Sequence, residues 1–190
     1  MGDLYIIATP IGNLGDITFR AVETLRSVDL ILCEDTRRTS NLLSFYKIEK
    51  PLLSYHQHSN DEKIDRIIDS LKEGKSIALV SDAGTPAISD PGGVLVERVV
   101  NENIRVIPIP GPSALTAIAS VAGFPVDKFV FLGFPPVKKR RKKFFEEVFS
   151  FDYPVIIYES THRILKTMGE LAEIDGQREA VIGRELTKKF

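Results

Sequence analysis

The sequence predicts an α/β protein built on a mostly parallel sheet. Short aliphatic runs alternate with amphipathic stretches almost from end to end, and each run is bounded by Gly, Pro, Ser or Asp. The stretches between runs are long enough to be crossover helices, the arrangement that parallel strands require. Residues 4–8, 30–33, 77–80 and 105–109 are the runs of the first half, too short for helices and rich in Ile, Leu and Val. Between them, residues 18–27, 36–45, 60–73 and 93–101 carry apolar side chains at helical spacing, most regularly Ile64, Ile67, Ile68 and Leu71. Asn60 or Ser59 stands where a cap for the third helix belongs, and Gly74 where that helix ends.

An uncharged stretch at 106–126 is long enough on paper to span a bilayer. Pro108, Pro110 and Pro112 break it at one end, Gly123 and Pro125 at the other, which predicts a short buried helix at 113–122 and no membrane partner. A second set of elements follows: strands at 129–132, 155–158 and 180–184, and helices at 141–149 and 163–172. The expected organisation is therefore two α/β domains, residues 1–116 and 117–190, with a mostly parallel sheet in the first and a mixed sheet in the second.

The chain has 190 residues, of which 43% are apolar, enough to close a core without staples. Cys33, the single cysteine, excludes an intrachain disulfide and sits in an aliphatic run, as expected of a reduced, cytoplasmic protein. The first residues lack the basic segment and apolar run of an export signal. A net charge of −1 provides no overall field for nucleic acid. Charge is nonetheless segregated, because Lys138, Lys139, Arg140, Arg141, Lys142 and Lys143 hold six of the 25 basic residues. That run reads either as a phosphate-binding edge or as the solvated start of a helix.

Ligands of open α/β sheets bind beyond the carboxyl ends of the strands. The first such loop, Thr9-Pro10-Ile11-Gly12-Asn13-Leu14-Gly15-Asp16, lacks both the glycine spacing of a dinucleotide fold and a Walker lysine. More informative is Ser81-Asp82-Ala83-Gly84-Thr85-Pro86, whose small residues expose backbone and whose acid can accept hydrogen bonds from a hydroxyl or ammonium group. The competing reading is a tight turn with Asp82 and Asp90 as caps. Pro110-Gly111-Pro112-Ser113-Ala114 then opens a helix of small residues, where backbone amides can meet a ligand. His56 and His58 are not completed by a carboxylate or cysteine cluster, so no metal is expected.

Five motifs occur in order: the first loop, Glu34-Asp35-Thr36-Arg37, the loop at 80–86, Pro110-Gly111-Pro112-Ser113 and Tyr158-Glu159-Ser160-Thr161-His162-Arg163. With them the chain resembles the tetrapyrrole-methylase superfamily over essentially its whole length. Within that superfamily it is similar to the branch that methylates the ribose 2′-hydroxyl of a cytidine in the decoding region of 16S rRNA. The resemblance implies the class III methyltransferase fold, with S-adenosylmethionine held in a folded shape between two domains. It also implies a homodimer, and 16S rRNA or the 30S subunit as partner. The family continues past Arg184-Glu185-Leu186-Thr187-Lys188, which implies a second domain incomplete at its C-terminal side.

Carried over by position, the cofactor residues are Ile11, Asp82, Thr85, Ser113 and Ala114. Pro10, Ala83, Gly84 and Pro86 shape the same loops, and Tyr158 or Glu159 reaches in from the second domain. A ribose hydroxyl is a poor nucleophile, so a group must take or polarise its proton. Glu34, Asp35, Glu159, His162, Glu185 and Lys188 are the candidates, with Arg37 and Arg163 suited to phosphate or carboxylate. In this reading Lys138 to Lys143 form the RNA-binding edge. A tetrapyrrole methylase of the same fold and a cofactor-binding module without catalysis are the competing functions.

Overall fold

The computed structural model describes residues 1–56 and 59–188. Five parallel strands, β1 (Leu4–Ile7), β2 (Leu30–Cys33), β3 (Leu52–Ser54), β4 (Ile77–Val80) and β5 (Val106–Ile109), lie in the order β3-β2-β4-β1-β5. Strands covered on both faces send alternate side chains into opposite layers. In β4, Ile77 and Leu79 join a core with Ile64, Ile67, Ile68 and Leu71 of α3 (Asp61–Lys72) and Leu95 and Val99 of α4 (Gly93–Asn101). Ala78 and Val80 join the other core, with Ala21 and Leu25 of α1 (Phe19–Ser27) and Leu43 of α2 (Thr36–Phe45).

The helices start where side chains can cap them. Thr18, Asp35 and Asn60 accept from the backbone N–H groups of Ala21, Arg37 and Lys63. Gly74, at φ +97°, follows α3 in a conformation that favours glycine. The sequence pattern missed β3, a three-residue edge strand after Pro51. Three residues carry no measurable alternation, so only pairing with Ile31, Leu32 and Cys33 of β2 makes this segment a strand.

The chain divides into two compact units, Met1–Ala114 with Glu185–Phe190, and Leu115–Arg184. The second unit holds β6 (Val130–Phe131), β7 (Val155–Ile156), α6 (Arg141–Ser150) and α7 (Ile164–Ile174). Its two strands are parallel, where a mixed sheet was expected. Residues 180–184 form no strand, because nothing among the described residues pairs with their backbone and Val181 and Ile182 are 44% and 56% exposed. The helix expected to be buried is α5 (Ala114–Ser120), where one unit gives way to the other; none of its residues is buried, so its apolar composition does not mark a core helix. No helix among the described residues is long and apolar enough to cross a membrane.

Candidate active site

In the first unit β1 lies between β4 and β5, so the loops leaving the carboxyl ends of these three strands emerge side by side. Backbone hydrogen bonds stitch them. Thr9 N–H donates to Gly84 O and Gly84 N–H to Thr9 O, both at 2.9 Å. The buried Thr9 hydroxyl donates to Ser81 O at 3.0 Å, and the Ser81 hydroxyl to Gly84 O at 3.2 Å. Gly84 has φ +85°, where side-chain-bearing residues are strained, and a Cβ on it would lie 3.4 Å from Ile11 Cγ2 and 3.8 Å from Pro112 O. The Thr85 hydroxyl donates to Pro112 O at 3.4 Å. Gly111 lies so close to β1 that a Cβ there would stand 3.1 Å from Ala8 Cβ.

Gly84 is thus the junction at which Ile11, the 81–86 loop and the Pro112-Ser113 segment meet. Pro86 is buried, Pro10, Ile11 and Ser113 are half-buried, and Ala83 and Ala114 are exposed. Thr9 was not singled out from the sequence. Its signal was a threonine ending an aliphatic strand, where a hydroxyl must find a partner inside.

Asp82 ties this junction to the loop after β2. Its Oδ1 accepts from Asp35 N–H at 3.1 Å and its Oδ2 lies 3.4 Å from Arg38 Nη1. Arg37 turns back on its own helix cap, with Nε and Nη2 at 3.3 and 3.1 Å from the Asp35 carboxylate. Those bonds and the Arg37 N–H lower the Asp35 carboxyl to about 2. Glu34 is half-buried beside them.

Asp90 behaves oppositely. Burial raises its carboxyl above the ordinary range, the charge of Glu34 adds to this, and the Ser81 hydroxyl opposes it. Because the folded chain holds that proton more tightly than the unfolded chain, ionised Asp90 costs stability above its raised value. Asp90→Asn is therefore expected to stabilise the first unit at about pH 7, with the gain fading as pH falls through the raised value and vanishing below the unfolded one. Melting curves at about pH 3 and about pH 7 check this; equal shifts at both contradict it.

The second unit carries a buried polar network. The Glu159 side chain is 3% exposed and accepts from Ser160 N–H, the Thr167 hydroxyl and Arg163 Nη2, each at 2.7 Å, with Arg141 Nη2 at 3.4 Å. Burial alone would raise its carboxyl, but these donors outweigh it and hold Glu159 below the ordinary carboxylate range. Both Glu159 oxygens are thus engaged by donors of its own unit.

Arg141 is also corrected. Its guanidinium reaches Glu170 at 2.7 Å, Pro136 O at 3.0 Å and the Thr167 hydroxyl at 2.6 Å, and lies 4.8 Å from the Phe145 ring centroid. It is 6% exposed and does not belong to an RNA-facing edge, whereas Lys138, Lys139, Arg140, Lys142 and Lys143 are exposed. The missed signal was Phe145 one helical turn on, which places Arg141 on the inner face of α6.

Arg163 is held by Glu159 and by the Ser160 hydroxyl at 3.2 Å, while His162 is exposed. Tyr158 packs edge-on to Phe131, with centroids 4.9 Å apart. Glu185 and Lys188 belong with the first unit and pair at 2.7 Å. His58 lies outside the described residues, among which no three His, Cys, Asp or Glu side chains gather as metal ligands.

The model of the family of tetrapyrrole (corrin/porphyrin) methylases matches residues 3–190. The ribosomal RNA small subunit methyltransferase I of Thermotoga maritima is 52% identical over 188 residues, covering 99% of this chain and 85% of that protein. The protein of the same name from Bacillus subtilis is 47% identical over 191 residues; this chain, matched in full, spans 65% of its length. Among solved structures, a diphthine synthase aligns with a TM-score of 0.69 at 17% identity, over 92% of this chain and 72% of that one. A cobalt precorrin-4 methyltransferase aligns with a TM-score of 0.64 at 21% identity, over 90% and 74%.

Proposed function

The chain belongs to the tetrapyrrole methylase family and is a methyltransferase, and from that premise we propose that it transfers a methyl group from S-adenosylmethionine to the ribose 2′-hydroxyl of a cytidine in the decoding region of 16S rRNA. The observation that carries this reading is the convergence of three strand-end loops on Gly84. It leaves a cradle beside the half-buried Asp82 and the exposed Ala83, which fits a ligand with an ammonium group, hydroxyls and a flat base. Asp82 would face the ammonium group, the backbone of Ala83 and Thr85 the polar edges, and Pro10 and Ile11 the apolar side. Ser113 and Ala114 would close the site at the start of α5. The bound donor supplies an electrophilic methyl on a sulfonium; the residues must hold the accepting hydroxyl in line with it and keep water out.

RNA is favoured over a tetrapyrrole by the identity to proteins named for the small ribosomal subunit and by the exposed part of the basic run. Five cationic side chains, Lys138, Lys139, Arg140, Lys142 and Lys143, suit a phosphodiester backbone. Lys142→Ala combined with Lys143→Ala is expected to weaken RNA binding and to reduce the slope of log K against log salt by about 1–2. An unchanged slope would remove this edge from the interface. The groups that could take the proton are Glu34, Asp35, Glu159, His162, Glu185 and Lys188, of which Asp35, Glu159 and Glu185 are paired with neighbouring cations.

The test offers labelled S-adenosylmethionine together with 30S subunits, naked 16S rRNA or uroporphyrinogen, followed by nucleoside analysis. The expected product is 2′-O-methylcytidine from the rRNA. Label in the tetrapyrrole, or on an RNA base, overturns the reading.

A further inference from the structure

The 185–188 segment folds as a turn against the first strand-end loop of its own unit. Lys188 N–H donates to Glu185 O at 3.1 Å, and Glu185 adopts φ +51°, a left-handed conformation that side-chain-bearing residues seldom enter without a local reason. The turn lies on Gly12. A Cβ at that position would stand 2.7 Å from Thr187 Oγ1 and 3.2 Å from Lys188 Cγ, and the first distance is shorter than Cβ contacts allow. Thr187 Oγ1 is also fully buried and finds no hydrogen-bond partner among the described residues. The hydroxyl is therefore held by shape rather than by bonding, and the absence of a side chain at Gly12 makes room for it.

We infer that Gly12 is the seat of the 185–188 turn, and that by seating it Gly12 positions the Glu185–Lys188 pair for methyl transfer. Gly12 is three residues beyond Thr9, which makes the reciprocal bridge to Gly84, so the turn is brought to the same loop that builds the proposed donor cradle. Gly12 touches no reacting atom; it is a positioning residue. The chemical half of this inference rests on the methyltransferase reading, whereas the seat itself rests on packing alone.

The experiment compares the wild type, Gly12→Ala and the double variant Gly12→Ala/Thr187→Ala. In the double variant the offending oxygen is gone, no hydrogen bond seen in the structure is lost with it, and the nearest remaining atom is Lys188 Cγ at 3.2 Å, on a flexible side chain. In Gly12→Ala, tryptic cleavage after Arg184 is expected to accelerate at least about fivefold as the turn detaches. Its kcat on 30S subunits is expected to fall about tenfold or more, with KM for the donor changed by less than about threefold. Thr187→Ala removes the clash but not the backbone strain of a side chain at φ +157°, so in the double variant both effects should be at least about threefold smaller than in Gly12→Ala. Wild-type cleavage in Gly12→Ala, or a double variant no better than the single one, overturns the seat. Faster cleavage with unchanged kcat overturns the positioning role. If the wild type methylates no RNA, the functional reading fails, while the cleavage rates still decide the seat.

Discussion

Arg141→Met is expected to destabilise the second unit by about 3–5 kcal/mol, because it leaves the buried Glu159 carboxylate short of a cation and the Thr167 hydroxyl short of a donor. Arg163 remains on Glu159, but Glu170 and the Pro136 carbonyl also lose their partner. Arg141→Lys is not a conservative change here, since a single ammonium cannot reproduce a guanidinium that bonds in four directions. Lys142→Ala, next in sequence and exposed, is expected to change stability by no more than about 0.5 kcal/mol. Urea titration with hydrogen exchange read in the α6 and α7 peptides measures both. Similar small effects from the two variants would contradict the network; similar large effects would contradict the division of the run into one inward and five outward cations.

Asp82→Asn is expected to lower affinity for S-adenosylmethionine about 10–100-fold, the value of a charge-assisted hydrogen bond lost at an ammonium group. Asparagine retains an oxygen that can accept from Asp35 N–H, so the link from the junction to α2 survives and the fold is not the variable. Losing the attraction to Arg38 is a small term, because that arginine side chain is 68% exposed and the pair is screened by solvent. Calorimetric titration of the donor into wild type and variant gives the ratio. Unchanged affinity would leave Asp82 as the latch between two loops and nothing more, the turn-and-cap reading that its sequence context also permits.

The first unit was legible where periodicity is strong. Strands such as Ile77–Val80 and helices such as Asp61–Lys72 announce themselves by buried aliphatic residues at the right spacing. β3 was not, since three residues have no period and the strand exists only through its neighbour. The three strand-end loops were legible separately as glycine and proline motifs, but their stitching through Thr9 and Gly84 is a long-range pairing that no local pattern encodes. Charged residues misled most. Arg141 read as an RNA-facing group because sequence gives a charge but not its burial, and its carboxylate partners Glu159 and Glu170 lie well along the chain from it. The return of Thr187 to Gly12 was invisible for the same reason, with 175 positions separating the two residues.

Hydrogen exchange with and without S-adenosylmethionine tests the donor cradle most directly. The convergence of loops on Gly84 predicts that the donor slows exchange of backbone amides in the segments 9–16, 81–86 and 111–114 together, while the α6 and α7 peptides remain unchanged. Donor binding that leaves those three segments unprotected, or that protects only one of them, would contradict a methyl-donor site built at their junction.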